Sequence, residues 1–260
     1  MRHIVVIGLL VIVMGCAKKE DTNFLKVQEL PLAQPRIETS STIIDSSITL
    51  SADLQMEGAT IFYTNNGNDP TEQSKQYKAT LQIVEEGTYS FKAFHPDWKP
   101  SKVASVTLYK KGHLPNTMDW NTHPNDKYPG IGEYTLINNQ KASLHFMDQQ
   151  WVGFDTIAKA SVKFEKMTYI ESMTIGYLVD TKSWIFPPTE VMLCLNKTDT
   201  LKVDVPQVAS EHQSIEGIKV NIGKDIQQVE VLVKNNTALP DWHPGKGLKA
   251  WLFMDEWIFN

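Results

Sequence analysis

Apolar and polar residues alternate with a period of two through most of this chain. That period belongs to strands with one face in a core and the other in water. In the first half it runs through Ser47–Ala52, Ala59–Thr64, Gly87–Phe94 and Val103–Tyr109. In the second half it returns in Lys159–Phe164, Ile170–Leu178, Glu190–Leu195, Leu201–Val205, Ile215–Val220, Gln228–Val233 and Lys249–Ile258. Asn65-Asn66-Gly67-Asn68-Asp69-Pro70 reads as a turn, because Asn, Gly and Asp tolerate positive φ. No amphipathic helical period competes with these strands, so the fold class is all-β.

About seven strands in the first eighty or so residues fit a small immunoglobulin-like sandwich over residues 35–111. About eight more fit a jelly roll over 115–260, whose two facing layers are supplied by the alternation. Lys110–Pro115 is the expected linker. Cys194 lies inside an apolar strand and reads as a small core residue. The chain has one other cysteine, Cys16.

Residues 1–15 have a basic start at Arg2, a short apolar core from Ile4 to Met14 and a small residue before Cys16. The core is too short to span a bilayer as a helix, and the arrangement is that of a secretory leader. Val13–Cys16 resembles the bacterial lipoprotein signal, which implies that Cys16 is lipidated and becomes the first mature residue. An ordinary leader with an incidental cysteine is the alternative. Ala17-Lys18-Lys19-Glu20-Asp21 resembles the tag that follows the lipidated cysteine in surface-exported lipoproteins of Bacteroidetes-type bacteria. That resemblance implies an outer-membrane, cell-surface location, with 16–34 as the tether; a plain solvated tether is the other reading.

The chain carries 25 basic and 30 acidic residues. A mildly acidic chain without a basic stripe is not expected to bind nucleic acid. Seven tryptophans are the richest chemical signal. Sugars are bound by flat aromatic faces flanked by orienting polar groups. Trp98, Trp120 and Trp242 lie in turn-like contexts and are the candidate platforms. Trp151 and Trp184, beside Gly and Pro, read instead as fold-maintaining residues. His123, His145, His212 and His243 show no metal-ligand spacing, and Pro240 and Pro244 bracket Asp241 and His243 in a rigid turn. Asp255 and Glu256, as strand neighbours, are expected on opposite faces. No nucleophile elbow, phosphate loop or zinc spacing is present, so no catalytic residue is assigned.

Ala59–Thr71, Tyr77 and Tyr89–Phe94 resemble the chitobiase or β-hexosaminidase carboxy-terminal, fibronectin type III-associated module. Trp151–Phe154, Ser183–Pro188, Leu239–Gly245 and Lys249–Glu256 resemble the discoidin-type, galactose-binding-like jelly roll that follows it in bacterial β-N-acetylhexosaminidases. The catalytic barrel of those enzymes, about 250 residues, has no room here. The resemblance therefore implies a non-catalytic accessory role. The chain would bind or present glycans, amino-sugar-containing ones among them, for a degradation or uptake system. The rival is a scaffold lipoprotein docking on a partner enzyme or transporter. No cofactor is expected. The family's structural calcium is disfavoured, because Leu136-Ile137-Asn138-Asn139 stands where an Asp-Gly pair would supply the carboxylate.

Overall fold

The computed structural model describes residues 30–260, so the leader, Cys16 and the tether up to residue 29 lie outside the described residues. Strands dominate, joined by turns and two three-residue 3-10 segments, with no α-helix among the described residues. No described helix is long and apolar enough to cross a membrane.

The first body pairs two sheets. β1 (Arg36–Thr39), β3 (Ile48–Asp53) and β6 (Leu81–Ile83) form one. β2 (Ile43–Ile44), β8 (Ala104–Lys110), β7 (Gly87–Phe94), β4 (Thr60–Thr64) and β5 (Lys75–Gln76) form the other, in that order. β2–β8 is the one parallel strand pairing; the rest are antiparallel. Alternation directs Leu50, Phe91 and Leu108 into the space between the sheets, where each is essentially inaccessible. Tyr63 stacks on Phe91 at 5.7 Å and Tyr77 meets the same ring edge-on. Burying a side chain such as Phe91 contributes about 1.5–3 kcal/mol. The Asn65–Pro70 turn forms as its composition predicts. Gly67 has φ +78° and donates to Thr88 O.

The linker is pinned rather than loose. His113 N–H donates to Phe259 O at 2.6 Å. A Cβ on Gly112 would stand 2.6 Å from that same oxygen, so only glycine lets the two backbones approach this closely.

In the second body the separate strands read from the sequence fuse. Lys159–Phe164 and Ile170–Leu178 belong to one 23-residue strand, β11 (Ala158–Asp180). Ile215–Val220 and Gln228–Val233 belong to β14 (Gln213–Lys234). The two pair along their whole length, with bulges between Lys163 and Thr168 and between Ile170 and Ser172. Bulges break the side-chain alternation and bend the ladder without ending it. The long hairpin thereby serves both layers. Its β11 start and β14 end sit between β9 (Thr117–Trp120) and β12 (Glu190–Leu195), with β13 (Asp199–Asp204) outside. Its other half pairs with β15 (Leu252–Phe259), which carries β10 (Val152–Phe154) on its far side. Ala160, Val162, Ile175, Val231 and Phe259 fill one common core between the layers.

Cys194 departs from its expected place. Val191, Leu193 and Leu195 take the core positions of β12, so strand parity leaves Cys194 on the opposite face, half-buried.

Candidate functional site

The end of the second body where β11 stops gathers aromatic rings. Past Asp180 the chain makes a 3-10 turn, Thr181–Ser183, that closes back on itself. Asp180 and Ile185 exchange backbone hydrogen bonds at 3.0 Å. Trp184 caps the turn in the left-handed region, φ 66° and ψ 20°. That conformation costs a residue with a Cβ about 1–2 kcal/mol. It is held by Trp184 N–H to Thr181 O (3.1 Å) and by Trp251 N–H to Trp184 O (2.8 Å). Gly245 lies under the indole, where a Cβ would approach its Cη2 to 2.7 Å.

His243 is the hub. Trp184, Phe186 and Trp242 meet its ring nearly perpendicularly, at 5.6, 5.4 and 5.7 Å between centroids. The imidazole is buried. Gly245 N–H donates to Nδ1 at 3.0 Å, which leaves Nε2 to carry the proton and donate to Thr181 O at 2.9 Å. One neutral tautomer thus fixes the loop 240–245 against the turn 181–184. Trp184 and Trp242 keep 36% and 38% of their surfaces open, enough for an indole to accept a ligand's apolar face.

A polar hollow of about 330 Å³ lies against the 180–183 turn that leads into Trp184, lined by Asp180, Lys182, Ser183, Glu211, His212 and Gln213. Asp180 Oδ2 accepts from Ser183 Oγ at 2.8 Å, and Glu211 pairs with Lys182 at 2.6 Å. Hydrogen bonding and charge from Glu211 hold the Lys182 ammonium above its ordinary value.

The three tryptophans picked from the sequence scatter. Trp242 belongs to the cluster just described. Trp98 is half-buried in the first body, on a tight turn closed by Asp97 N–H to His95 Nδ1. Trp120 ends a strand instead of occupying a turn. It pairs with Ala160 and leans on Phe154 at 5.7 Å, so much of its face is spent on the core. Among the described residues no two of these three rings pack together. Trp151 is buried, its Nε1 donating to Ser143 O. Trp184 does hold the fold, yet it is also a principal exposed ring at this end. Its left-handed backbone has no local signature, and His243 is placed by contacts that reach back some sixty residues.

The loop expected to discourage calcium can be tested against its partners. A bulge opposite Gly176 inserts an extra residue in β15, so Asp255 and Glu256 both meet the 138–142 loop instead of facing apart. Glu256 accepts the N–H groups of Asn138 and Asn139 at 3.2 and 3.0 Å. Asp255 accepts from Lys141 Nζ at 2.6 Å and Ala142 N–H at 3.1 Å. The two carboxyl groups face donors, and an ammonium already stands among them. A hard cation needs acceptor oxygens there, so these residues do not fit calcium.

Comparison with solved structures finds likenesses of low identity. The module CpGH89CBM32-4 of Clostridium perfringens, in complex with GlcNAc-alpha-1,4-galactose, is 8% identical over 56% of this chain and 90% of its own, with a TM-score of 0.36. A fucolectin from striped bass serum is 11% identical over 85% and 83%, at 0.33. A two-domain protein of unknown function from Bacteroides fragilis is 9% identical over 90% and 91%, at 0.29. No curated protein matches the chain. Residues 39–105, which hold the strand-and-turn motif of the first body, match the family described as the chitobiase/beta-hexosaminidase C-terminal domain.

Proposed function

We propose that this protein is a non-catalytic glycan-binding lipoprotein whose binding face is the aromatic end of its second body. The observation that carries the reading is two partly open indoles, Trp184 and Trp242, each seated against the buried His243, with a polar hollow on the turn that Trp184 closes. Flat rings beside a few oriented polar groups are what a sugar's two-sided surface calls for. The family match of the first body favours amino-sugar-containing glycans. Asp180 and Glu211 are engaged by Ser183 and Lys182, which suits holding hydroxyls better than attacking a bond. Acylation of Cys16 would keep the two bodies at the outer surface of the outer membrane, beside a degradation or uptake system.

A glycan array with the purified protein, followed by calorimetry, tests the reading. Truncating an anchoring aromatic commonly costs 2 kcal/mol or more. Trp184→Ala and Trp242→Ala should therefore each weaken binding by about 30-fold or more. Silence across the whole array rejects glycan binding. Release of product from an aryl hexosaminide rejects the non-catalytic assignment.

A further inference from the structure

A second concave surface lies between the two bodies, away from the tryptophan cluster. On one side stands the outer face of the five-stranded sheet. In β8, Ala104 and Leu108 point into the first core, so Ser105, Thr107 and Tyr109 point outward. On the other side runs the start of β14, Gln213 to Ile215. The hollow has a volume of about 360 Å³, at the small end of the roughly 300–1,000 Å³ of ligand pockets. Across Tyr109 a second hollow of about 400 Å³ shares Thr107 and Ile215 with the first.

At the first hollow lies a charge pair with one loose end. The Lys141 side chain is 4% exposed and that of Asp255 is inaccessible. Lys141 Nζ donates to Asp255 Oδ1 and stands 5.2 Å from the Tyr109 ring centroid. An ammonium has three N–H donors, and Asp255 is its one hydrogen-bond acceptor among the described residues. Burial, and secondarily Asp255, push the Tyr109 phenol up to about 12, so it stays a hydrogen-bond donor throughout the neutral range. Among the described residues Lys141 is the only ionised one lining the hollow, and Asp255 cancels its charge. The Gln213 amide turns away to Asp180, so the other polar groups are hydroxyls: Ser105 and Thr107, paired across the sheet with Ser90 and Thr88, and Ser214, set against the apolar surfaces of Leu144 and Ile215.

We infer that this interbody cleft is a second binding site, for an uncharged saccharide of one or two rings, independent of the aromatic end. A ligand oxygen takes the spare Lys141 N–H, ligand hydroxyls meet Ser105 and Thr107, each of which keeps a lone pair beside its bond to Ser90 or Thr88, and the ring's apolar face lies on Leu144 and Ile215. An anionic sugar gains nothing, because the local charge is already balanced and an unpaired charge entering a partly buried site loses solvation.

Saturation-transfer NMR on the purified full chain tests this. The panel is glucose, galactose, N-acetylglucosamine and their β-1,4-linked disaccharides, with glucuronic acid as the charged control. The Trp184→Ala/Trp242→Ala double variant should still give a signal with at least one uncharged sugar and none with glucuronate. Adding Ser105→Trp should cut that signal to a tenth or less. Ser105 is exposed on a strand, where an aromatic residue is tolerated; the change gives up its bond to Ser90 Oγ, about 1 kcal/mol, so a melting temperature lowered by no more than a few degrees shows that the cleft was filled without unfolding. No signal in the double variant, or one that Ser105→Trp leaves intact, overturns the cleft site. Full retention of wild-type binding in the double variant counts instead against the aromatic end, so the two readings fail separately.

Discussion

Glu256 offers a sharp test of the buried charge cluster. Its carboxyl is almost wholly enclosed, and burial, as the largest influence, pushes it from 4.5 up to about 8 despite the two backbone N–H groups that it accepts. The nearby Asp255 carboxylate pushes the same way, while Lys141 opposes. Between those two values the folded chain holds a proton that the unfolded chain has released. Folding therefore takes up a proton, and stability from this group is full below about pH 4.5 and is lost as pH rises through about 8. Each pH unit in that window changes stability by about 1.4 kcal/mol. The whole window amounts to about 5 kcal/mol as an upper bound.

Glu256→Gln removes the titration while keeping one carbonyl oxygen for Asn138 or Asn139. Its amide nitrogen then faces the other N–H, at a cost of about 1–3 kcal/mol that does not depend on pH. Urea unfolding from pH 5 to 9 separates the two effects. Six of the seven tryptophans lie in the second body, so indole fluorescence follows the relevant unit. The wild type should lose stability relative to the variant by several kcal/mol across that range and level off above pH 8. Parallel profiles, with the difference constant within about 1 kcal/mol, would refute the reasoning, since one shifted pKa unit is already about 1.4 kcal/mol.

Gly176→Ala should destabilise the second body by about 3–5 kcal/mol in the same assay, because its methyl group displaces the buried Lys141–Asp255 pair and breaking such a pair strands a charge. Gly245→Ala pushes the Trp184 indole off its seat; glycan affinity should fall about tenfold, with an altered near-ultraviolet circular dichroism signal and a loss of about 1–3 kcal/mol in urea unfolding. Phe91→Ala opens a cavity beneath Tyr63 and Tyr77 and should cost the first body about 3–5 kcal/mol by calorimetry.

The strand content was legible in the sequence because burial on one face writes itself as alternation. The continuity of β11 and β14 was not, because Glu165–Tyr169 is largely exposed around a bulge while the backbone ladder continues. Parity also misled at the end of the chain. Asp255 and Glu256 are adjacent, and alternation sends neighbours to opposite faces, yet one extra residue across from Gly176 brings both onto one loop. Trp242 was legible as a candidate from its turn. Its companions were not, since Trp184 adopts its conformation through Thr181 and Gly245, and His243 is oriented by a carbonyl 62 residues away. The Lys141–Asp255 pair spans 114 residues, and nothing in either local sequence announces it.

That pair is better understood through geometry than through net stability. Two ions taken out of water lose solvation that their attraction repays only with good geometry and further hydrogen bonds. Here the further bonds exist: Ala142 and Glu256 N–H groups also reach Asp255. Yet an apolar pair of similar volume could match the energy. What it could not do is fix the direction of the 138–142 loop, because dispersion contacts are non-directional whereas four donors converging on two adjacent carboxyls permit one arrangement. Lys141 then reaches from that loop to the Tyr109 ring, and Tyr109 packs on Gly217 of β14. The loop, the first body and β14 thus meet at Tyr109, which adds to the Glu86–Lys219 ion pair and the His113–Phe259 bond in joining the two bodies.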